Sequence, residues 1–407
     1  MKWSIFNVVK KEQESVNIFN TLTRAAVTLE NELYYQEPNN LPDNMQGDLL
    51  GLGIMVPDDT DETILFKYWY NLKVTQKKFL AITYIPTYKC NFKCPYCIEG
   101  KIEDTGLKVK TQEIYEYINQ VIRESKCEII DFVFYGGEPL LAIENVINTA
   151  QFIKGLAEKY VKKLNISMVT NGYLLNDECA SELIQNGITT FQITIDGIKE
   201  SHNLRRIHKN GTGTYENIVN NVKNILEKHT DANVVLNLNY DETNYNDILQ
   251  FISQPPFDLK RVYLKLNPIK NSCKNLDQIG IVEHLNDARI LYNQLKNNDL
   301  YDSNNVLNEY GPCLKRIRNS FIVDCYGDLY KCVFGVGNRL NKVGTIYEGM
   351  NRKVYSEDLI IRDKCKECAV LPICMTGCPR IRNEFGKVIC KKDEIMNTIV
   401  IPILDNF

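Results

Sequence analysis

The sequence predicts an α/β fold, because strand-like and helix-like segments alternate regularly from residue 79 onward. The predicted strands are residues 80–85, 129–135, 166–170, 190–195, 234–239 and 261–266. The predicted helices between and after them are residues 111–125, 144–160, 177–186, 215–228 and 245–253. Six such units in a row indicate a parallel sheet with helices outside, either open and doubly wound or closed into an incomplete barrel. Two groups of cysteines, near residue 90 and beyond residue 313, carry the functional part of the prediction.

The composition bounds the class of protein. The chain has 407 residues, of which 44% are hydrophobic and 24% charged, as in globular proteins of two or three domains. A net charge of −3 gives no electrostatic reason to expect nucleic acid or an anionic membrane as a partner. No apolar run approaches membrane-spanning length, and the first residues make a better strand than a signal peptide. We therefore expect a cytoplasmic protein, in which fourteen cysteines are more typical of metal ligands than of disulfides.

Residues 1–78 are predicted to form a small separate α+β module. Residues 3–9 and 16–22 have the pattern of a hairpin, and residues 25–29 continue its sheet. A short strand is expected within residues 51–57, and a helix capped at residues 59–60 is expected after it.

Three cysteines crowd into eight residues directly after the first predicted strand. We call Cys90, Cys94 and Cys97 the cysteine triplet; their spacing is C-x3-C-x2-C. An iron–sulfur cluster usually takes four cysteines, so a cluster held by three keeps one iron open for another ligand. A structural zinc knuckle is the alternative for so short a cysteine group. The triplet lies at the carboxyl end of a strand, which is where parallel barrels carry their chemistry.

The spacing of the triplet, together with Tyr96 before its last cysteine, resembles the radical S-adenosylmethionine (SAM) enzymes. In that family the open iron of a [4Fe–4S] cluster binds the amino and carboxylate groups of SAM. Reductive cleavage of SAM then yields a 5′-deoxyadenosyl radical. Because these enzymes use an incomplete (β/α)6 barrel, the resemblance implies that architecture for residues 79–277.

Segments at later strand ends also match the family. The resemblance places the following residues around SAM: Tyr96, Gly136, Gly137, Glu138, Pro139, Asn171, Thr194, Asp196 and Arg206. It implies that the Gly-Gly-Glu-Pro segment binds the SAM amino group, that Thr194 contacts the ribose and that Arg206 pairs with the carboxylate. Asn203 stands where the family has an aspartate, which leaves the role of that position open.

Seven later cysteines fall in the order C…G-x4-C…C-x2-C-x5-C-x3-C…C, which resembles the SPASM extension and its two auxiliary [4Fe–4S] clusters. The resemblance implies a linker helix near residues 281–296 within a domain of residues 278–407. It assigns to the first auxiliary cluster Cys313, Cys332 and Cys378, and to the second Cys365, Cys368, Cys374 and Cys390. The first set lacks a fourth ligand: our interpretation is an open iron, and Cys325 and Cys273 are the alternatives.

The resemblance as a whole implies a radical SAM/SPASM enzyme with three [4Fe–4S] clusters that modifies a peptide. The N-terminal module resembles the winged-helix-like element that binds the leader of a ribosomal precursor peptide. We therefore predict a maturase that links a cysteine sulfur to a carbon, as in ranthipeptides or sactipeptides, with flavodoxin or ferredoxin as electron donor. The alternatives are carbon–carbon crosslinking, anaerobic sulfatase maturation by formylglycine formation, and a non-enzymatic electron carrier or zinc scaffold.

Overall fold

The computed structural model describes residues 1–99, 102, 108–269, 290–291, 294–295, 297–298, 300, 311–351, 359–386 and 388–405. The chain divides into two compact units. The terminal unit comprises Met1–Thr75, Lys274–Arg316 and Glu357–Phe407, and the sheet unit comprises Gln76–Cys273 and Ile317–Ser356. The predicted division into three domains stays a prediction. Among the helices of the described residues, none is long and apolar enough to cross a membrane.

Residues 1–75 contain a three-stranded antiparallel sheet and three helices. In chain order its elements are β1 (Lys2–Trp3), β2 (Asn7–Lys11), β3 (Ser15–Asn20), β4 (Ala26–Glu30), α1 (Asn31–Tyr34), α2 (Asp43–Gly51), β5 (Met55–Val56) and α3 (Glu62–Thr75). Strands β2, β3 and β4 pair in that order, while β1 pairs with β5. The predicted hairpin and third strand are therefore confirmed.

Two details of this segment differ from the prediction. Residues 43–51 form helix α2, so only Met55–Val56 of the expected strand pairs as a strand. Pro42 before the helix and Asp43 in its first turn favour that start. The first N–H groups of a helix have no partner within it, so the N–H that proline lacks is not missed, and an acidic side chain there interacts favourably with the helix dipole. Helix α3 is capped by Asp61, whose carboxylate accepts the backbone N–H groups of Thr63 and Ile64, and not by residues 59–60.

The sheet unit is built on six parallel strands with helices between them. Its elements are β6 (Phe79–Ile85), α4 (Thr111–Glu124), β7 (Ile129–Phe134), α5 (Ile143–Lys159), β8 (Lys163–Thr170), α6 (Asp177–Gln185), β9 (Ile188–Ile195), α7 (Lys199–Arg205), α8 (Tyr215–Lys228), β10 (Asn233–Tyr240), α9 (Tyr245–Ser253) and β11 (Tyr263–Pro268). All predicted strands and helices of this region are confirmed. Each strand pairs with the next one along the chain. This order lacks the reversal of a doubly wound sheet, so it is the order of a barrel segment.

The chain returns to the same sheet after residue 317. Strand β12 (Ser320–Asp324) pairs parallel with β6, and β13 (Asp328–Tyr330), β14 (Gly344–Thr345) and β15 (Gly349–Met350) follow in antiparallel order. Strands β12 and β13 form a hairpin, with Ile322 opposite Tyr330. The sequence assigns it to the C-terminal extension, whereas the structure adds it to the edge of the main sheet. The physical reason is that both residues pack in one core with Ile85 and Tyr88.

The C-terminal part of the terminal unit is helical. Its elements are α10 (Asp363–Lys366), α11 (Leu371–Cys374), α12 (Pro379–Phe385), α13 (Lys392–Ile395) and α14 (Ile401–Leu404), with a π-helical turn at Met396–Val400. Phe19 of β3 packs in one core with Ile399 and Ile403. Phe6 packs in another with Leu371. The first and last segments of the terminal unit therefore share their hydrophobic cores.

Candidate active site

The cysteine triplet lies in the loop after β6, and backbone hydrogen bonds fasten this loop to the segment after α7. The N–H of Lys93 donates to the carbonyl of Ile207 at 2.9 Å, and the N–H of Lys209 donates to the carbonyl of Asn91 at 2.8 Å. These two bonds hold the loop as a short antiparallel pair with residues 207–209. The triplet is therefore held next to the segment that begins with Arg206.

The three thiols differ in exposure. Cys90 and Cys94 are partly buried and Cys97 is exposed. Burial raises the pKa of Cys94 to about 11, and the nearby positive charge of Arg206 opposes that rise. Burial also raises the pKa of the Cys90 thiol, whereas the backbone N–H of Phe92, 3.4 Å from the sulfur, lowers that pKa. A metal that binds such thiols deprotonates them, so this loop offers thiolate ligands only when a cation supplies the compensating charge.

The paired glycines after β7 lie directly against the chain that leads into the triplet. A Cβ on Gly136 would come within 2.5 Å of a carbonyl oxygen of residues 87–89, and a Cβ on Gly137 within 2.4 Å of two of them. The backbone N–H of Glu138 donates to the same segment at 2.8 Å. Only residues without a side chain permit this approach, so the glycines are required to seat the cysteine loop on the end of β7.

Glu138 is fully buried, and all the hydrogen bonds described for its carboxylate come from the protein. It accepts the hydroxyl of Thr170 at 2.7 Å and the backbone N–H groups of Asn171 at 2.7 Å and Leu140 at 3.1 Å. Burial raises its pKa, and these bonds oppose the rise. Glu138 thus fixes the ends of β7 and β8 relative to each other. The next residue, Pro139, is buried at the start of a short helix.

Asn171 connects the end of β8 to the cysteine loop. Its side-chain amide donates to Asn91 Oδ1 at 2.7 Å and lies 3.9 Å from the sulfur of Cys90. Its own oxygen accepts the N–H of Tyr173 at 2.9 Å. The predicted Asn171 therefore reaches the triplet itself, and Asn91, which the sequence did not single out, is its partner there.

Tyr96, Asp196 and Arg206 form one buried polar group. The hydroxyl of Tyr96 donates to Asp196 Oδ2 and accepts Arg206 Nη1 at 3.0 Å. Arg205 Nε also contacts Asp196 Oδ2, at 3.4 Å. Burial raises the pKa of Asp196, and the charge of Arg206 opposes this most strongly. Three residues predicted from separate motifs are therefore in direct contact, between the triplet loop, β9 and α7.

Three polar atoms, two in this group and one in the cysteine loop, are buried and have no hydrogen-bond partner within the described chain: Asp196 Oδ1, Arg206 Nε and Asn91 Nδ2. Buried polar atoms in proteins are nearly always paired, so three orphaned atoms around one loop point to a polar ligand. An acceptor for the Arg206 fork and a donor for Asp196 are what an amino acid moiety offers. Together with the thiol donors, the residues present fit SAM beside an iron–sulfur cluster.

His202, whose sequence context predicts no catalytic role, lies at the centre of a hydrogen-bond relay. Its Nδ1 accepts the backbone N–H of Asp196 at 3.3 Å, so the ring proton lies on Nε2, 3.1 Å from the hydroxyl of Thr214. That hydroxyl donates to the carbonyl of Arg206 at 2.6 Å. Burial and the charge of Arg206 hold the pKa of His202 well below its usual range, so the ring is neutral. The relay fixes the backbone that carries Arg206.

Asn203, which departs from the family pattern, caps helix α8. Its side-chain oxygen accepts the N–H groups of Thr214 at 2.8 Å and Tyr215 at 3.0 Å. An amide oxygen accepts such bonds as an aspartate would, so the replacement preserves this role. A Cβ on Gly213 would approach the Asn203 amide within 2.7 Å, which explains the glycine in that segment. Thr194, the predicted ribose contact, is buried in β9 opposite Asn237 of β10.

The second cysteine group lies in the terminal unit. Burial raises the pKa of Cys374, the backbone N–H groups of Gly377 and Lys391 lower it, and the neighbouring Cys390 and Cys368 raise it again. Three of the four cysteines predicted for the second auxiliary cluster are therefore electrostatic neighbours. The fourth, Cys365, accepts a long hydrogen bond of 3.8 Å from Arg362. Over the described ranges, no three Cys, His, Asp or Glu side chains are grouped as the ligands of a single metal ion. The cysteines of a [4Fe–4S] cluster bind different irons and need not converge in that way.

The cysteines predicted for the first auxiliary cluster are divided between the units. Cys313 and Cys378 belong to the terminal unit, and Cys332 belongs to the sheet unit. Cys325 is 4% exposed in the core beside β12, and Cys273 lies outside the described residues. The ligand set of this cluster, including its open iron, stays a prediction.

Comparisons with known proteins agree with this geometry. The model of the Radical SAM superfamily matches residues 84–254. A cysteine-type anaerobic sulfatase-maturating enzyme of Clostridium perfringens is 25% identical over 334 residues, covering 72% of this chain and 87% of that enzyme.

Two solved structures show the same fold. Native anSMEcpe with bound AdoMet and Cp18Cys peptide has a TM-score of 0.62 at 20% identity, covering 81% of this chain and 98% of that one. Streptococcus suis SuiB bound to precursor peptide SuiA has a TM-score of 0.54 at 12% identity, covering 93% of this chain and 95% of that one. The triplet, the glycine segment and the buried arginine all lie within residues 84–254, the part of this chain that matches the Radical SAM superfamily.

Proposed function

We propose that this chain is a radical SAM peptide maturase that installs a thioether crosslink between a cysteine sulfur and a carbon of a precursor peptide. The observation that supports the SAM-dependent part of this proposal is the pair of buried, unpartnered atoms Asp196 Oδ1 and Arg206 Nε, whose charges reach Cys94 of the triplet. A buried arginine fork with a free N–H suits a carboxylate, because its planar donors pair with two oxygens.

Different residues of the sheet unit would bind different parts of the cofactors. The cysteine triplet would hold a [4Fe–4S] cluster, Arg206 the SAM carboxylate and Thr194 the ribose, with Gly136 and Gly137 giving the amino group access to the backbone. When bound, cluster and SAM supply the chemistry that removes a hydrogen atom from an unactivated carbon. The chain's own residues orient this pair: Asn171 anchors the cysteine loop, and the His202 relay fixes Arg206.

The N-terminal sheet supports a peptide substrate. Strand β4 has β3 as its one strand partner within the described chain. Asn20 pairs with Ala25, and Asn31 with Glu14, through backbone bonds across these strands. Because bonded and non-bonded pairs alternate in antiparallel sheets, Thr28, opposite Asn17, directs its N–H and carbonyl away from β3. An extended leader peptide would add here as a fourth strand. The similarity to SuiB, which was solved with its precursor peptide, covers 93% of this chain.

Sulfatase maturation is the second candidate function. The sulfatase-maturating enzyme of C. perfringens matches 72% of this chain, and anSMEcpe, whose structure matches 81% of this chain, was solved with a bound peptide. Both candidates share the cofactors, the proposed auxiliary clusters and an electron donor of the flavodoxin or ferredoxin class. They differ in the product. A thioether removes two hydrogens from the peptide and keeps the sulfur, whereas formylglycine formation oxidises the cysteine Cβ to an aldehyde, with loss of two hydrogens and exchange of the sulfur for oxygen.

The deciding experiment incubates the anaerobically reconstituted enzyme with SAM, dithionite and one of two peptides. The first is a cysteine-containing precursor with its leader, encoded near this chain, and the second is a sulfatase-derived cysteine peptide. A two-hydrogen mass loss in the precursor that requires its cysteine supports the thioether proposal. A cysteine-to-formylglycine mass change in the second peptide alone contradicts it and favours sulfatase maturation.

Leader binding is tested by matched proline variants on the two outer edges of the same sheet. Thr28→Pro removes an outward N–H of β4 and keeps the backbone bonds between β3 and β4, although it also removes the 2.8 Å hydrogen bond from the Thr28 hydroxyl to Asn17 Oδ1 of β3. We expect it to abolish binding of a leader peptide. Lys11 of β2 is also a non-bonded partner of β3, so Lys11→Pro is the control on the opposite edge. Equal leader affinity in both variants would contradict binding at β4.

A further inference from the structure

The turn between Cys374 and Cys378 has an unusual backbone. Met375, Thr376 and Gly377 all have positive φ values, of 48°, 66° and 84°. Residues with a Cβ rarely adopt this left-handed conformation, and they persist in it only when their surroundings impose it. The turn therefore requires a structural explanation beyond its own sequence.

Arg316 supplies the clamp on this turn. One guanidinium nitrogen, Nη2, donates to the carbonyls of Met375 at 2.6 Å and Gly377 at 2.7 Å. The other, Nη1, donates to the hydroxyl of Tyr70 on helix α3 at 3.0 Å. The Met375 side chain is 3% exposed and packs with Tyr70 in the same core, so the turn is held from both its backbone and its side chain.

Arg316 also contacts the segment that contains Cys313. The backbone N–H of Arg316 donates to the carbonyl of Cys313 at 2.8 Å. The hydroxyl of Thr376, within the turn, is 5% exposed and has no hydrogen-bond partner in the described part of the chain. Because buried hydroxyls are normally paired, this one points to an acceptor such as a cluster sulfur.

We propose that Arg316 is a positioning residue for the auxiliary iron–sulfur clusters, and this inference rests on the proposed function. Cys374 is assigned to one cluster, whereas Cys378 and Cys313 are assigned to the other. The guanidinium of Arg316 thus fixes the turn that joins ligands of the two clusters, and the backbone N–H of the same residue bonds the carbonyl of a third ligand, Cys313. It also links this turn to helix α3 of the N-terminal segment, through Tyr70.

The test compares Arg316→Gln, Arg316→Lys and Tyr70→Phe with wild type in the full reconstituted chain. Arg318→Gln is the control, since Arg318 is an exposed arginine two residues away. The readouts are iron release to a chelator, midpoint potentials of the auxiliary clusters by EPR titration, and 5′-deoxyadenosine formation without peptide. The last readout reports on the triplet cluster alone.

Arg316→Gln is expected to weaken auxiliary iron retention about 10- to 100-fold, as loss of an outer partner of metal ligands usually does. It should also shift the auxiliary potentials, while deoxyadenosine formation stays at the wild-type level. Arg316→Lys should restore part of the retention, and Tyr70→Phe should shift the potentials with iron retained.

Unchanged potentials and iron release in Arg316→Gln would overturn the inference and leave the proposed function intact. If that variant does not fold, unchanged potentials in both Arg316→Lys and Tyr70→Phe overturn it. Wild-type protein that binds iron for the triplet cluster alone would refute the auxiliary clusters themselves, and the inference with them.

Discussion

Phe19 tests whether the N-terminal sheet and the C-terminal helices form one cooperative structure. Its side chain is 0% exposed and packs with Ile399 and Ile403, about 380 residues further along the chain. Replacing a buried phenylalanine by alanine removes its transfer free energy and leaves a cavity, which costs about 3–5 kcal/mol. In Phe19→Ala this loss is expected to destabilise residues 392–404 as much as strand β3.

Amide hydrogen exchange followed by mass spectrometry measures this directly. At about 1.4 kcal/mol per tenfold, a loss of ~3 kcal/mol speeds exchange through global or subglobal opening by about 100-fold. Tyr68→Ala is the matched control, because Tyr68 is an aromatic residue of helix α3 that is 63% exposed; its exchange should match wild type. Faster exchange confined to residues 7–30 in Phe19→Ala would show that the two segments unfold independently and refute the shared core.

The same structure predicts the outcome of three further changes. Gly137→Ala should lower 5′-deoxyadenosine formation by about 100-fold, or ~2.7 kcal/mol, because its Cβ would meet carbonyl oxygens at 2.4 Å; wild-type turnover would contradict this. Arg206→Lys should weaken SAM binding about 10-fold, measured by equilibrium binding, because lysine lacks the planar fork; equal affinity would remove Arg206 from the site. Burial raises the pKa of Glu99 to about 8 from its usual 4.5, so its contribution to stability is present below pH 4.5 and is lost as the pH rises through 8. Urea unfolding of the apoprotein should show this fall, up to about 4–5 kcal/mol, and Glu99→Gln should lack it.

The order of strands and helices in the sheet unit was predictable because it depends on local hydrophobic periodicity. Alternating buried residues such as Ile130, Phe132 and Phe134 mark β7 in the sequence alone. The position of the triplet at a strand end was predictable for the same reason. Helix α2 was not, because residues 43–51 carry a weak apolar pattern with glycines at 47 and 51.

Contacts between segments that are far apart in the sequence leave no periodic pattern from which they could be predicted. The relay from Asp196 through His202 to Arg206 depends on the path of the chain through α7, which spacing does not reveal. Arg316 is one of many basic residues in the sequence, and only its contacts with Met375 and Gly377 distinguish it. The same holds for the cores that residues 6–22 share with residues 370–404.

Deletion of residues 1–78 is a second way to test leader binding, and the shared cores affect its interpretation. That deletion would remove Phe6, Phe19 and Phe66 from cores that include Leu371 and Ile399. Exposing so much buried apolar surface would disturb the cysteine-rich segment as well. Loss of activity in the deletion therefore would not report on leader binding, and the edge variant Thr28→Pro is the sharper experiment.

We propose that the cysteine triplet and Arg206 create one site for an iron–sulfur cluster and SAM. The most direct measurement is the formation of 5′-deoxyadenosine and methionine from SAM under dithionite, in oxygen-free protein loaded with iron and sulfide. We expect equal amounts of both products from the wild-type chain and none from a variant with alanine at Cys90, Cys94 and Cys97. A fully loaded wild-type chain that leaves SAM intact, or a triple variant that still cleaves it, would show that the triplet does not form this site.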